Sequence, residues 1–133
     1  MVFKRAWCVA AAALALGLGA SDALAKDSAF SCITALRKEH ASNAALNPSC
    51  PGDFDCTFMA PTGNASARAL VETIAKKTES CFTAAGLTMS KEEKEGPGVT
   101  RYFSEAGRER CALLIAEPSG PPPEGVRAVC RTE

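Results

Sequence analysis

The sequence has one histidine, His40, and lacks the short motifs that mark common catalytic and cofactor sites. Its serines form no G-x-S-x-G, and its glycines form neither G-x-x-x-x-G-K-[ST] nor G-x-G-x-x-G. A single imidazole excludes phosphoryl chemistry that uses two histidines, and any ordinary acid–base mechanism would depend on His40. The absence of a catalytic constellation favours a non-catalytic protein.

Metal and redox motifs are missing as well. The cysteines form no C-x-x-C and no C-x-x-C-H, so neither a thiol oxidoreductase motif nor haem attachment is indicated. Zinc would need several thiolates and imidazoles that converge, and one histidine does not supply them. Asp53 and Asp55 could begin a calcium site, but calcium takes six or more oxygen ligands and no further acidic cluster is near. We therefore expect neither a metal nor a cofactor.

The first 25 residues have the order of a secretory signal peptide. Lys4 and Arg5 form a short basic region, residues 7–20 are an apolar run, and Ala23 and Ala25 occupy the small-residue positions of an A-x-A cleavage site. The apolar run has 14 residues, whereas a membrane-spanning helix needs about 20. We expect cleavage after Ala25 rather than a retained anchor.

Cleavage would leave residues 26–133, a length typical of a single domain. Neither Cys8 nor Cys32 follows an apolar run as a lipid-modified cysteine would, so we expect a periplasmic or secreted protein without stable membrane insertion. Residues 26–133 contain 13 basic and 14 acidic side chains, a net charge of −1. This balance produces no overall field that would attract nucleic acid or an anionic membrane.

Removal of Cys8 with the signal peptide leaves six cysteines in a short exported chain. An even number in an oxidising compartment predicts three disulfides. Six cysteines allow 15 pairings, and the sequence alone does not choose among them. The six are Cys32, Cys50, Cys56, Cys81, Cys111 and Cys130.

Two of these cysteines bracket the stretch CPGDFDC. Pro51 and Gly52 suit the two central positions of a type II turn. The alternation of the strand that follows directs Cys56 toward the core, which favours a Cys32–Cys50 bridge with Cys56 bonded elsewhere. A Cys50–Cys56 bridge is the alternative, and ring-closure entropy does not decide between the two.

Hydrophobic periodicity of the helical kind predicts two helices. The first runs from Ser28 to about Ala45 and is capped by Asp27 or Ser28. The second follows an Asn64 cap, carries an apolar stripe that includes Cys81, and ends at Gly86.

Alternating residues predict the strands, and the faces of the last two strands can be assigned. The predicted strands are residues 54–60, 87–90, 99–104, 111–116 and 125–131, with a solvated turn at residues 91–98. The residues that we expect to face the core are Cys111, Leu113 and Ile115 on one strand and Val126, Ala128 and Cys130 on the other. At least one bridge should join two of Cys81, Cys111 and Cys130.

The predicted fold is α+β, with two helices packed on one face of a small antiparallel sheet and disulfides stapling the elements. The order is helix, strand, helix, then three or four strands.

Arginines near the end of the sequence give the best indication of a functional surface. Arg127 and Arg131 lie on the opposite face from Cys130 and so on the exposed side of the sheet. Together with Arg101 and Tyr102, they form a candidate partner-binding surface. Neighbouring glutamates neutralise this cluster, so ordinary solvated strand positions are the competing explanation.

These features predict a small exported, non-catalytic protein that binds or inhibits a protein partner or serves as a structural component of the cell envelope. The alternative is a small secreted hydrolase that uses His40 with a carboxylate such as Glu39 or Glu72.

Overall fold

The computed structural model describes residues 17–132. The basic region and most of the apolar run of the predicted signal peptide therefore lie outside the described residues. Within the described range, neither helix has the combination of length and hydropathy that a bilayer-spanning segment needs.

The first helix, α1, spans Gly17–His40. It begins before the predicted Asp27 or Ser28 cap, and that part of the prediction is wrong. The residues ahead of the cap are rich in Ala and Leu, which favour helix, so the helix continues through them. α1 also ends earlier than predicted, because Asn43 caps a separate 3-10 helix at Ala44–Leu46.

The second helix, α2, spans Ala65–Ala84 and confirms the predicted boundaries. Asn64 caps it, since its side-chain oxygen accepts a hydrogen bond from the backbone N–H of Ala67 at 3.0 Å. Gly86 follows the helix with a φ of +98°, a conformation that disfavours other residues.

The α+β class is confirmed, and the sheet is larger than expected. Its six strands are all antiparallel, in the order β1-β2-β6-β5-β4-β3. Two strands precede α2 and four follow it, where the sequence predicts one and then three or four. The strands are β1 Ser49–Gly52, β2 Asp55–Met59, β3 Thr88–Glu95, β4 Gly98–Glu105, β5 Arg108–Ala116 and β6 Gly125–Cys130.

β1 is the strand that the sequence pattern does not predict. Pro51 lies within it, which an edge strand tolerates because one side of the strand needs no ladder hydrogen bonds. The predicted type II turn centred on Pro51 and Gly52 is therefore wrong. Gly52 pairs with Asp55, so the turn is formed by Asp53 and Phe54.

β3 is longer than predicted because the charged residues after Ser90 continue the strand. Lys91, Glu92 and Glu93 all pair with residues of β4. An edge strand can carry solvated charges while its backbone remains paired on one side, and such charges discourage pairing with other chains. The predicted solvated turn is thus reduced to Gly96 and Pro97.

Both helices pack on one face of the sheet and enclose the core. Cys111, Leu113 and Ile115 of β5 are buried as predicted, and so are Val126, Ala128 and Cys130 of β6. The largest fully buried side chains come from both layers: Phe58, Phe82, Phe103, Ile33, Leu46, Ile74 and Leu113. Strand alternation therefore assigned the core-facing side correctly.

The six cysteines form three disulfides, which confirms the predicted stapling. Cys32–Cys81 joins α1 to α2 with a Cα–Cα distance of 6.0 Å. Cys111–Cys130 joins the paired strands β5 and β6, which confirms the bridge expected among the last three cysteines.

The third disulfide, Cys50–Cys56, corrects the predicted Cys32–Cys50 bridge. Because β1 pairs with β2, Cys50 lies beside Cys56, and their Cα atoms are 4.1 Å apart. Cys32 is instead buried on α1, where the apolar stripe of α2 brings Cys81 to it. Cys50–Cys56 is the alternative that the sequence left open, and without β1 in the prediction there was no reason to prefer it.

Candidate binding surface

The face of the sheet opposite the helices is the candidate binding surface, and we call it the open face. Its residues are the alternate strand positions that do not enter the core, and most of them are partly exposed. Within residues 17–132, no helix covers this face. The strand register aligns its side chains in rows that run across the strands.

Three neighbouring positions in one row of the open face have almost no side chain, and we call them the bare row. Gly98, Ala116 and Gly125 are paired neighbours on β4, β5 and β6, and Met59 of β2 continues the row. A Cβ atom at Gly98 would come within 2.9 Å of the Ile115 carbonyl oxygen, and one at Gly125 would overlap the Met59 sulfur. Nearby side chains and backbone thus already occupy the space that a larger residue would need.

This bare row forms the floor of a groove of about 280 Å³. Leu114 and Thr100 pair with each other in the next row and form one wall of the groove. Met59, with 39% of its surface exposed, forms one end of the groove. Glu95 and Arg127 are the charged residues of the lining. An apolar concavity of this kind, bordered by charge, is typical of a binding surface.

Arg127 lies on the open face as predicted, and its charge is already paired. Its Nε and Nη2 atoms donate to the two carboxylate oxygens of Asp55 at 3.0 and 2.9 Å. This bidentate hydrogen bond raises the pKa of Arg127. Asp55 therefore serves as the counter-ion of an arginine that borders the groove.

The structure separates Arg101 from the other three residues of the predicted surface. Arg101 pairs with buried Leu113 and so projects toward the helix-covered face. It donates to Glu92 at 2.8 Å and to Glu79 of α2 at 3.0 Å, and these carboxylates, Glu92 first, raise its pKa. Arg101 ties the sheet to α2, whereas its neighbour Tyr102 projects to the open face.

Tyr102 is held by charged residues of the edge strand. Its hydroxyl donates to Glu93 at 3.0 Å, and the Lys91 ammonium lies 4.7 Å from the centre of its ring. The hydrogen bond to an anionic carboxylate raises the pKa of Tyr102, because it stabilises the protonated phenol.

Arg131 lies at the end of the open face that is remote from the groove, beside Arg110. Its backbone N–H donates to the Arg110 carbonyl at 2.8 Å, and its guanidinium is 3.7 Å from Glu109. Arg110 is buried, a placement that its charge would not suggest. With Tyr102, these residues line a second cavity of about 240 Å³, which we call the Arg110 pocket.

His40 and the turn of CPGDFDC at Asp53 and Phe54 do not line the open-face groove, although Asp55 of the same stretch holds Arg127 at its border. His40 is 3.5 Å from the Glu39 carboxylate and packs edge-on against Phe58. Phe54 stacks on Phe30 of α1 with ring centres 3.9 Å apart.

The turn after β1 is also held by α1, because Arg37 donates to the Gly52 carbonyl and lies 3.9 Å from Asp53. CPGDFDC is therefore a corner fixed to a helix. Among residues 17–132, no group of three or more His, Cys, Asp or Glu side chains is arranged to hold a metal ion.

Comparison with known proteins assigns this arrangement to no family. No family model matches the sequence, and neither the curated proteins nor the solved structures gave a match.

Proposed function

We propose that this chain is a small exported, non-catalytic protein that binds a protein partner through the open face of its sheet. The observation that carries the proposal is the apolar groove, whose floor is the bare row of Gly98, Ala116 and Gly125. A fully buried face of a sheet belongs to the core. The open face is partly exposed, so its apolar surface is accessible to a partner.

The shape of the groove favours a segment of protein over an enclosed small molecule. Its volume of about 280 Å³ is just below the range of about 300–1,000 Å³ for small-molecule sites, and it lies on one face of a sheet without a covering element in the described residues. Apolar side chains of an extended segment can enter such a groove while the backbone remains outside. Met59 and Leu114 would then contact these side chains.

Export is supported by the disulfides and by the predicted signal peptide. Three disulfides in a short chain are typical of oxidising compartments such as the periplasm and the extracellular space.

The hydrolase alternative would depend on the contact between His40 and Glu39. The His40 side chain is 12% exposed and packs against Phe58, which leaves its imidazole little access to a substrate. His40→Ala tests this alternative once an activity is found, because undiminished activity would exclude a role for the imidazole. The binding function is the one that the open face favours.

Site-specific photo-crosslinking in the source cells tests the binding function. A photoreactive phenylalanine derivative at Thr100, in the groove, should give a discrete crosslinked product. The same derivative at Thr73, exposed on α2, serves as the matched control and should not give that product. A product formed equally well from Thr73, or from neither position, would contradict the proposal.

A further inference from the structure

The Arg110 pocket is lined by a buried guanidinium, that of Arg110, whose Nε–H has no hydrogen-bond acceptor. The Arg110 side chain is 9% exposed. Its Nε atom is buried without a hydrogen-bond partner, and its nearest carboxylate oxygen, on Glu105, is 3.9 Å away. That distance permits charge attraction but exceeds the range of a hydrogen bond. A buried guanidinium in this state is a strong donor for an anion that can reach it.

The surroundings of the Arg110 pocket make it suitable for one anionic group. Arg131 brings a second guanidinium to the lining, and its side chain is 65% exposed. Ala112 and Val129 form an apolar floor. The carboxylate of the lining, Glu109, lies 3.7 Å from Arg131 and is therefore not hydrogen-bonded to it.

Charge balance favours an anion with a single negative charge. Arg110 and Arg131 line the pocket together with Glu109, which also lies 3.9 Å from Lys91 at the pocket's edge. With Glu109 neutralising one cation, the residues that line the pocket have one net positive charge; Glu105, which faces Arg110 Nε at 3.9 Å, is not one of them. A single carboxylate matches this charge, and its two oxygens match the planar fork of a guanidinium.

We propose that the Arg110 pocket binds a carboxylate of the protein partner, from an acidic side chain or a chain terminus. The proposal rests on the proposed function, since it takes the partner to lie along the open face. Arg110 and Leu114 are four residues apart on β5, about 13 Å along a strand. An extended partner segment that places a carboxylate at Arg110 therefore places apolar side chains in the groove about four residues away.

NMR titration of the purified protein, with its three disulfides formed, tests the carboxylate site. The probe is acetate, with acetamide as the uncharged control and methyl phosphate as the alternative anion, all at matched ionic strength. Acetate should shift the Nε–Hε signals of Arg110 and Arg131 along saturable curves. Acetamide should leave both signals in place, and methyl phosphate should bind more weakly than acetate.

Two variants with the same loss of charge make the test specific. Arg131→Gln removes an exposed guanidinium of the pocket and should weaken acetate binding about tenfold, the usual scale for one charge-assisted hydrogen bond. Arg108→Gln removes an exposed arginine of β5 that does not line the pocket, and should leave the affinity unchanged. Both positions are exposed, so folding should be preserved.

Several results would overturn the proposal. They are unsaturable shifts, an equal response to acetamide, tighter binding of methyl phosphate, and an equal loss of affinity in Arg108→Gln. Failure here would not remove the proposed function, because crosslinking from Thr100 reports on the groove alone. If Thr100 gave no crosslink while acetate still bound, the proposed function would be contradicted, and the Arg110 pocket would remain a carboxylate site that does not serve a partner on the open face.

Discussion

At the scale of single residues, the open face is organised by charge pairs that link neighbouring strands. Arg127 of β6 donates two hydrogen bonds to Asp55 of β2, and Tyr102 of β4 donates one to Glu93 of β3. Alternation predicted that Arg127 would be exposed, but its partner required the register of β2 against β6. Glu79, which holds Arg101, lies on a different element and could not be assigned from spacing.

The hydrogen bond between Tyr102 and Glu93 predicts an elevated phenol pKa that can be measured directly. Tyr102 is the single tyrosine, so absorbance near the phenolate band reports on it alone. In the folded protein it should titrate above the ordinary value of 10.0, and in denaturant it should return toward that value. Glu93→Gln should lower the pKa in the folded state, because the stabilising anion is removed.

Glu92→Gln provides the control for this titration. Glu92 is adjacent in sequence but pairs with Arg101 on the opposite side of the strand, so its loss should change the pKa of Tyr102 far less. Equal pKa values in the parent protein and Glu93→Gln would show that the hydrogen bond does not form in solution.

At the scale of elements, the sequence predicted α2 and the buried strands best. Their patterns are strong because one face enters the core: α2 repeats its apolar stripe, and β5 and β6 alternate. β1 and the outer half of β3 were missed because edge strands bury little. Proline in β1 and charge in β3 resemble turn sequence unless the pairing partner is known.

The Asn64 cap should contribute measurably to the stability of α2. Asn64→Ala removes the acceptor for the Ala67 N–H and should lower the free energy of unfolding by about 1 kcal/mol. Asn64→Gly should cost only a few tenths of a kcal/mol. Chemical denaturation followed by circular dichroism measures both. Equal stability of the parent protein and Asn64→Ala would contradict the assigned role.

The three disulfides should differ in their contribution according to the loop that each closes. The sequence separation is 49 for Cys32–Cys81 and 6 for Cys50–Cys56, so the loops that they close contain 50 and 7 residues. The chain-entropy model gives about 4.1 kcal/mol for the long loop and about 2.4 kcal/mol for the short one. Replacing both cysteines of each pair by alanine and measuring unfolding should therefore show the larger loss for Cys32–Cys81. A larger loss for Cys50–Cys56 would contradict this order.

At the scale of the whole molecule, the two sides of the sheet differ in burial and in proposed role. The side covered by α1 and α2 contains the core, where Cys32–Cys81 joins the two helices and Cys111–Cys130 joins two strands. The open side contains the groove and the Arg110 pocket. Changes on the open side should therefore affect binding without unfolding the protein. The sequence predicted that a charged face exists, but the groove depends on strand register and could not be predicted from spacing.

The most direct test of the central claim is the binding of the partner that is crosslinked from Thr100. Leu114→Lys places a charge in the groove, and Met89→Lys makes a similar change at an exposed methionine outside it. Leu114→Lys should weaken partner binding at least about tenfold, whereas Met89→Lys should change it less than about twofold, with both proteins folded. Equal affinity of Leu114→Lys and Met89→Lys for that partner would contradict the assignment of the open face as the binding surface.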